Sequence, residues 1–425
     1  MNKQIYLGAL VACGLTGGAQ AQVQVTCLTN AGHLTRQHEP LAKIFNEMQD
    51  EVEVTYAAPA QNYSDTHLRL FRGSATNTLP DCAFQAFNQL PSLARSLAAR
   101  NQIVDMKTLM DKEPDGWVEA NYTNQMLDLG RVDGMQYGMP FNASVIQWYV
   151  NADLLAQVGV EFEDFPADWA GVLQLAAQID ALGDDIEGMS FGVDQWGDDW
   201  PFQVLILQQG GRMLNEVGDT VAFDADDRHI EAMKLARRMV EEGGYNPETD
   251  LATQLTSFTE GRMGIYATSP ASAKQIDERV GENFDLQSVK FTVWDDANGR
   301  LPTGGNAAII TTKDPVKVAA AWEYIKFLSG PEGQDITARN TGYLPTNSGS
   351  LADEYLGAYY AAEPYFATPS TQYSRAGAWY GYAGTQSEKI WRDQRAVIRL
   401  VMLGEVAPEE GAAQLVTIAS DLMTR

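Results

Sequence analysis

Short apolar runs alternate with amphipathic stretches along the first part of the chain. The runs at 23–28, 52–56 and 82–87 have the length and composition of strands. Between the first two, apolar side chains recur with the spacing of a single helix face, at Leu41, Ile44, Phe45 and Met48. A further helix is predicted at 64–71. Strand–helix–strand alternation predicts parallel pairing, with helices covering the sheet.

Two segments that lie far apart in the chain share one pattern. Residues 138–151 open with glycine and proline, continue through small polar side chains into a β-rich run, and lead to a helical pattern at Ala152. Residues 302–310 have the same character. Two such strands suit a chain that crosses between two lobes which close on a ligand. We therefore predict a two-lobed α/β fold, each lobe a mainly parallel sheet flanked by helices, with several crossing hinge segments.

The crossings divide the chain into two predicted lobes. The first takes residues 22–137 plus 303–330, and the second takes 138–302 plus 331–425. Within the second lobe the pattern predicts a helix at 168–182 and strands at 191–193 and 263–267. Asp226 or Asp227 is predicted to cap a helix that runs to Glu242.

Length and leader agree with an exported protein of two lobes. A chain of 425 residues exceeds one ordinary core. Lys3, the apolar stretch 5–15 and the small residues around 19–21 are typical of a signal peptide over 1–21, so the protein is expected in the periplasm. A competing interpretation is that Cys13 stands in a lipobox-like context and carries a lipid anchor.

The strongly negative charge of the chain limits which partners it can bind. The formal net charge of −26 disfavours nucleic acid and anionic membranes. It does not exclude an anionic ligand, because one arginine and local dipoles in a pocket can outweigh a distant field.

Cleavage of the leader leaves two cysteines, Cys27 and Cys82. These two either form a disulfide, which an exported protein permits, or are small buried hydrophobic residues.

Catalytic and metal-binding patterns are weak throughout the sequence. Residues 188–192 match the G-x-S-x-G pattern of hydrolases, but the first glycine precedes strand-like residues instead of following a strand. The four histidines have no metal-ligand spacing, and 295–299 lacks the closing glutamate of a calcium loop. We predict no enzymatic activity, no metal site and no cofactor.

Polar side chains at the ends of predicted strands are the first ligand-binding candidates. Asn30, Tyr63 and Asn88 each follow a strand or begin a helix, where parallel sheets bind ligands. Residues 268–272 form a run of small polar side chains between a strand and a helix. Exposed backbone N–H groups there suit an oxygen-rich ligand, although an ordinary capped turn explains the run equally well.

Aromatic side chains are the second group of candidates. Trp196 and Tyr382 stand beside glycine and polar residues, so each either stacks on a sugar or polyol or packs in the core. Trp200 heads an apolar helix and is expected in the core.

These features in their order resemble the extracellular solute-binding proteins of family 1, the substrate-binding components of carbohydrate-type ABC importers. The resemblance spans the mature chain and rests on the leader and on the segments 138–152, 166–169, 258–263 and 304–305. Within that family, 139–144 and 340–345 are most similar to motifs of the sn-glycerol-3-phosphate-binding proteins.

The resemblance implies a ligand held between the lobes by contacts from both, with hinge closure presenting a surface to the transmembrane permease subunits. The residues that it implies at the ligand are Tyr63, Ser144, Ser269 or Ser272, Gly305 and Tyr343. The strand-end and aromatic patterns add Asn88 and Trp196 to this set. The phosphate-binding arginine of the subgroup corresponds roughly to Arg392, with Arg375 as the rival.

The expected ligand is sn-glycerol-3-phosphate or a related glycerophospho or carbohydrate compound, bound by a monomer. Asn88 stands where the subgroup has an acidic residue, and the arginine corresponds only roughly. Both departures leave a neutral sugar or oligosaccharide open. An alternative of another class is a secreted glycoside hydrolase that uses two carboxylates. A third is a binding protein that serves a sensing system.

Overall fold

The computed structural model describes residues 22–384 and 386–423. The predicted signal peptide, with Lys3 and Cys13, lies outside the described residues. Two main sheets form the centres of two lobes, as predicted from the two crossing segments. None of the described helices is long and apolar enough to cross a membrane.

The first sheet has five strands and combines parallel with antiparallel pairing. Its spatial order is Val52–Tyr56, Val23–Leu28, Cys82–Ala86, Gly304–Ile310 and Met139–Ser144. The first three strands are parallel, as predicted. The Gly304–Ile310 strand is antiparallel to both of its neighbours. Apolar residues pack on both faces of this sheet, for example Phe84 on one and Ala83 on the other.

Cys27 and Cys82 are directly opposite each other on the two central parallel strands. Both side chains are completely buried, and their sulfur atoms are joined in a disulfide. Of the two interpretations that the sequence left open, the structure therefore shows the disulfide.

The second sheet has four strands in the order Leu286–Lys290, Gln147–Asn151, Met263–Thr268 and Glu187–Ser190. Only the last pair is parallel. The prediction of mainly parallel sheets is therefore wrong, and both sheets are mixed. The reason is that the chain crosses between the lobes. The strands that enter each sheet from the other lobe, Gly304–Ile310 and Gln147–Asn151, are antiparallel to their neighbours.

Each predicted crossing segment contains a strand. Met139–Ser144 ends beside Gly304, and the chain then enters the second sheet as Gln147–Asn151, directly before the helix Ala152–Gln157. The strand Gly304–Ile310 brings it back. Because Met139–Ser144 pairs in the first sheet, the crossing itself lies at 145–146 in this structure. The predicted lobe boundaries stay a prediction.

Helices cover the sheets and form most of the C-terminal region. Those of the N-terminal part are Ala31–His33, Glu39–Met48, Tyr63–Thr76, Leu90–Ala98, Lys107–Met110, Trp117–Asn121 and Asn124–Asp128. Those between the crossings are Ala152–Gln157, Trp169–Asp180, Trp200–Leu207, Arg228–Glu241, Leu251–Thr259 and Ala273–Val280. Those after the second crossing are Pro315–Ser329, Pro331–Thr341, Ala358–Ala362, Pro364–Ala367, Ser387–Leu403 and Pro408–Met423.

Shorter elements complete the chain. Two small sheets pair Arg131–Val132 with Met135–Gln136 and Leu301–Pro302 with Ala376–Gly377. The remaining helical turns are of 3₁₀ or π type and comprise Leu34–His38, Phe162–Asp164, Ala225–Asp227, Pro270–Ser272, Ser348–Leu351, Asp353–Gly357 and Thr368–Arg375.

Two local predictions are wrong for identifiable reasons. The strand expected at 191–193 lies earlier, at Glu187–Ser190, because the N–H of Val193 bonds to the carbonyl of Phe191 in a tight turn. Asp226 and Asp227 do not cap the following helix, since both adopt a left-handed backbone and neither side chain accepts a capping bond.

Candidate functional site

A cavity with an empty volume of about 630 Å³ opens between the two lobes, and we call it the central cavity. Its first wall comes from the five-stranded sheet and its neighbours and consists of His33, Arg36, Tyr63, Ser144, Gly304, Gly305 and Tyr343. Its second wall comes from the other sheet and the C-terminal region and consists of Trp196, Asp198, Trp200, Ser269, Ala271, Ser272 and Trp379.

The structure brings most of the predicted ligand residues into this one cavity. Those that line it are Tyr63, Ser144, Trp196, Ser269, Ser272, Gly305 and Tyr343. Asn88 lines an adjoining cavity instead. Asn30 lies behind the wall, where its side-chain nitrogen is 3.4 Å from Nδ1 of His33.

Neither predicted phosphate-binding arginine lines the central cavity. The side chain of Arg392 is 65% exposed and lies beside Asp393. Arg375 forms an ion pair of 2.7 Å with Asp296. The arginine at the cavity is Arg36, which the sequence interpretation missed. Arg36 has no carboxylate within ion-pair distance among the described residues, so its charge is available to a ligand.

A hydrogen-bonded aromatic group forms the first wall. Nδ2 of Asn306 donates to the hydroxyl of Tyr63 at 3.0 Å, and the hydroxyl of Tyr343 lies 3.2 Å from Nε2 of His33. Burial and, secondly, the charge of Arg36 lower the pKa of His33 to about 4, so His33 is neutral near pH 7. Apart from the exposed guanidinium of Arg36, this wall therefore offers hydroxyl groups and ring faces that carry no charge.

Two glycines form the floor where the strands of the first sheet meet. Gly305 has a φ of +120°, and a Cβ built on it would lie 2.0 Å from the carbonyl oxygen of Asn142. The backbone can therefore reach this geometry only without a side chain. The absence of a side chain also lets a ligand approach the backbone of the strand directly.

Three tryptophans dominate the second wall, and hydrogen bonds fix two of them. Nε1 of Trp200 donates to the carbonyl of Pro302 at 2.7 Å, and Nε1 of Trp379 donates to Asp199 at 3.0 Å. The rings of Trp196 and Trp200 lie 5.3 Å apart between centroids. Trp200 is buried, as its expected place in the core implied, yet it also contacts the cavity. Such rings suit the C–H faces of a sugar or polyol.

The small polar run at 268–272 contributes to the same wall. Oγ of Ser269 accepts from the N–H of Ala271 at 3.1 Å, which caps the short turn Pro270–Ser272. The capped-turn interpretation is therefore correct for Ser269. Both serines nevertheless line the central cavity, so the turn also presents hydroxyl groups to a ligand.

Asp198 places a carboxyl group at the cavity beside a second acidic residue. Its Oδ1 accepts from the N–H of Trp200 at 3.2 Å. Burial and then the charge of Asp199 raise the pKa of Asp198 from 3.8 to about 7. Burial raises the pKa of Asp199 to about 6, although Gln203 and Trp379 donate to it. Among the described residues, no lysine or arginine forms an ion pair with either carboxyl, so the two carboxyls are hydrogen-bond partners for donors on a ligand.

The raised pKa predicts how stability depends on pH. Below about pH 4, Asp198 is neutral in both the folded and unfolded chains, so it has no effect. As the pH rises towards 7, only the unfolded chain ionises, and the free energy of unfolding falls. Asp198→Asn should remove this loss, which we expect to be of the order of 1 kcal/mol because the cavity admits water. The variant should melt higher than the wild type at pH 8 and equally near pH 4. A constant difference at both pH values would contradict the assignment.

The hydrolase-like pattern does not form a reactive serine. Ser190 is completely buried, and its hydroxyl donates to Oε1 of Gln254 at 2.7 Å. Across the described part of the chain, no three His, Cys, Asp or Glu side chains are grouped so that they could hold a metal ion.

A family model described as bacterial extracellular solute-binding protein matches residues 40–368. Among curated proteins, a binding protein of Brucella abortus (strain 2308) is 24% identical over 274 residues. A binding protein of Brucella suis biovar 1 (strain 1330) matches equally well. Each match covers 61% of this chain and only 64% of the length of the relative.

Solved structures share the fold across nearly the whole chain. The cyclic alpha-maltosyl-1,6-maltose binding protein from Arthrobacter globiformis has a TM-score of 0.77 at 18% identity, covering 95% of this chain and 99% of its own. UgpB from Mycobacterium tuberculosis, in complex with glycerophosphocholine, has a TM-score of 0.77 at 17% identity, covering 96% and 100%. The sugar-binding protein MalE from Xanthomonas citri has a TM-score of 0.78 at 19% identity, covering 95% and 98%. The two-lobed fold of periplasmic binding proteins is thus confirmed.

Proposed function

The chain belongs to the bacterial extracellular solute-binding protein family, and from this premise we propose that it is the substrate-binding component of an ABC importer. The family consists of solute-binding proteins, so the glycoside hydrolase considered from the sequence is set aside. The observation that carries the proposal is the central cavity, to which both lobes contribute polar and aromatic side chains. A ligand that contacts both walls stabilises the closed arrangement of the lobes. The closed form, in the periplasm, would then dock on the permease.

The ligand that we propose is a glycerophosphate or a related glycerophospho or carbohydrate compound. Arg36 and the hydroxyl groups of Ser144, Ser269 and Ser272 can hold phosphate or sugar oxygens. The tryptophan rings can cover the carbon skeleton. Two structural neighbours support this range, since one is named for binding a cyclic maltosyl-maltose and another was solved with glycerophosphocholine.

A neutral sugar is the second candidate, and the position of Asp198 favours it. A carboxylate at the cavity wall repels a phosphate but accepts hydrogen bonds from sugar hydroxyls. Arg36 is exposed at the rim, where water screens its attraction for an anion. The two candidates therefore differ in the charges on which their binding depends.

A thermal-shift screen with charge variants separates the two candidates. Ligand at about 100 times its Kd should stabilise the protein by roughly 2.7 kcal/mol. If the ligand is sn-glycerol-3-phosphate, Arg36→Gln should lower the affinity about tenfold and Asp198→Asn should raise the affinity. If the ligand is a neutral sugar such as maltose, Asp198→Asn should lower the affinity and Arg36→Gln should change the affinity little. Absence of any shift with sugars, glycerol-3-phosphate and glycerophosphodiesters would overturn the proposed function.

A further inference from the structure

A second cavity adjoins the central cavity, and we call it the distal compartment. It has an empty volume of about 810 Å³ and also lies between the lobes. Ser64, Asn88 and Gln89 line it from the first lobe, and Tyr382, Glu388 and Trp391 line it from the C-terminal region. Asp198 lines both cavities, so one side chain stands between the two spaces.

The outer wall of the distal compartment is a segment held firmly on the second lobe. Backbone atoms of Tyr380 bond to the side chain of Gln203 at 2.8 and 3.0 Å, and the hydroxyl of Tyr382 donates to Gln394 at 3.2 Å. Between these anchors, Gly381 packs so closely on the carbonyl of Asn88 that a Cβ would lie 1.8 Å from that oxygen. The lobes therefore enclose this space only when they meet at this contact.

The distal compartment is lined by carboxyl groups together with neutral polar side chains, most of which can both donate and accept hydrogen bonds. Oδ1 of Asn88 is buried and has no hydrogen-bond partner in the described structure. Asp198 and Glu388 add carboxylates, and none of the described residues that line the space is a lysine or an arginine. Buried polar atoms in native proteins are nearly always paired, so an unpaired acceptor at a cavity indicates a donor that binds there. A phosphate offers no such donor, whereas a hydroxyl group does.

We propose that the ligand has two parts, one in the central cavity and a second, hydroxyl-bearing group in the distal compartment, with Asp198 accepting from both. This inference rests on the proposed function and narrows its ligand. A single sugar or sn-glycerol-3-phosphate would occupy the central cavity alone. The second group is either the next sugar of an oligosaccharide or the alcohol of a glycerophosphodiester. Both sources bring the same hydroxyl donors to Asn88 and Glu388.

The test compares ligand pairs that differ only in the second part. Calorimetry would measure glucose against maltose, and sn-glycerol-3-phosphate against glycerophosphoglycerol, on the full mature chain. We expect the two-part member of one pair to bind at least tenfold more tightly. The pair that shows the gain identifies the source of the second group.

Matched variants locate the gain in the distal compartment. Asn88→Ala should reduce the affinity for the two-part ligand to that for the one-part ligand, which it should leave unchanged. Ser144→Ala, in the central cavity, should weaken both. Glu388→Gln on the exposed start of its helix is the second distal variant if Asn88→Ala does not fold. If the two members of each pair bind equally tightly, the two-part ligand is overturned. It is also overturned if the distal variants weaken the binding of the one-part and two-part ligands equally. Neither result affects the proposed function. Failure of all four compounds to bind would overturn the proposed function and the inference with it.

Discussion

Alanine at position 381 should weaken ligand binding about 100-fold while leaving the fold of the protein intact. Gly381 belongs to the segment anchored on the second lobe, and the atom it meets is the carbonyl oxygen of Asn88 on the first. A Cβ at 1.8 Å from a backbone oxygen cannot be accommodated by a rotamer change. Overpacking of this kind costs about 1–3 kcal/mol, and the upper end corresponds to roughly 100-fold in affinity.

The loss should fall on binding because the clash is between lobes. Opening of the hinge separates Gly381 from Asn88 without disturbing the packing of either lobe, so the penalty applies to the closed form. The apparent Kd rises as the population of the binding-competent form falls. The melting temperature of the unliganded variant should consequently stay close to that of the wild type.

Calorimetry and small-angle scattering together check this expectation. The wild type should contract when ligand is added, and Gly381→Ala should not. The matched control is Gly197→Ala, because Gly197 lines the same distal compartment but a Cβ there meets no atom within 4 Å. Full affinity and full contraction in Gly381→Ala would show that the closed form does not require this contact.

The crossings and most of the central cavity could be predicted because their signals are local. Small residues lead into the β-branched pair Val145 and Ile146 just after the strand Met139–Ser144, and into Ile309 and Ile310 within the strand Gly304–Ile310. The cavity lies where the end of the first strand pairs with the start of the second. The family resemblance of these two segments implied Ser144 and Gly305 as ligand residues, and both line the central cavity. The strand end at Thr268 gave Ser269 and Ser272 in the same way.

Arg36 and Asp198 were missed because their position at the cavity depends on how the two lobes meet. Arg36 lies in the π-helical turn Leu34–His38, and no periodic pattern of apolar residues predicted that turn. Asp198 stands between Trp196 and Trp200, and an acidic residue flanked by two tryptophans after a strand was the available signal. No local pattern distinguishes Arg36 from the other exposed charges of the chain.

Arg392 shows a signal that helical periodicity does contain. In the helix Ser387–Leu403 the buried positions include Ile390, Trp391 and Gln394, a stripe that repeats at three- and four-residue intervals. One residue rotates the side chain by about 100°, so Arg392 lies off this stripe and faces solvent. Trp391 lines the distal compartment instead. A motif that corresponds only roughly in sequence therefore led to a helix that borders the distal compartment, but to a residue on the solvent face of that helix.

The largest expected loss of stability is that of Gly305→Ala. Gly305 lies in the interior strand Gly304–Ile310 and has a φ of +120°, which L-residues rarely adopt. The added Cβ would lie 2.0 Å from the carbonyl oxygen of Asn142 and 2.7 Å from its carbon, so the backbone of the neighbouring strand would have to move. Backbone strain and the disrupted strand pairing should together lower the free energy of unfolding by more than about 3 kcal/mol.

The adjacent glycine provides the matched control for this variant. The φ of Gly304 is not in the positive region, so a side chain there causes no backbone strain. The atoms nearest to an added Cβ belong to side chains, Oγ of Ser144 at 2.9 Å and the ring of Trp200 at 3.2 Å. Gly304→Ala should therefore unfold in urea near the wild-type midpoint, yet bind ligand less well because the methyl group narrows the central cavity. Gly305→Ala should shift the midpoint far lower with an unchanged m-value. Equal midpoints for the two variants would show that the strand tolerates a side chain at 305, and that the glycine there serves access to the backbone rather than the fold.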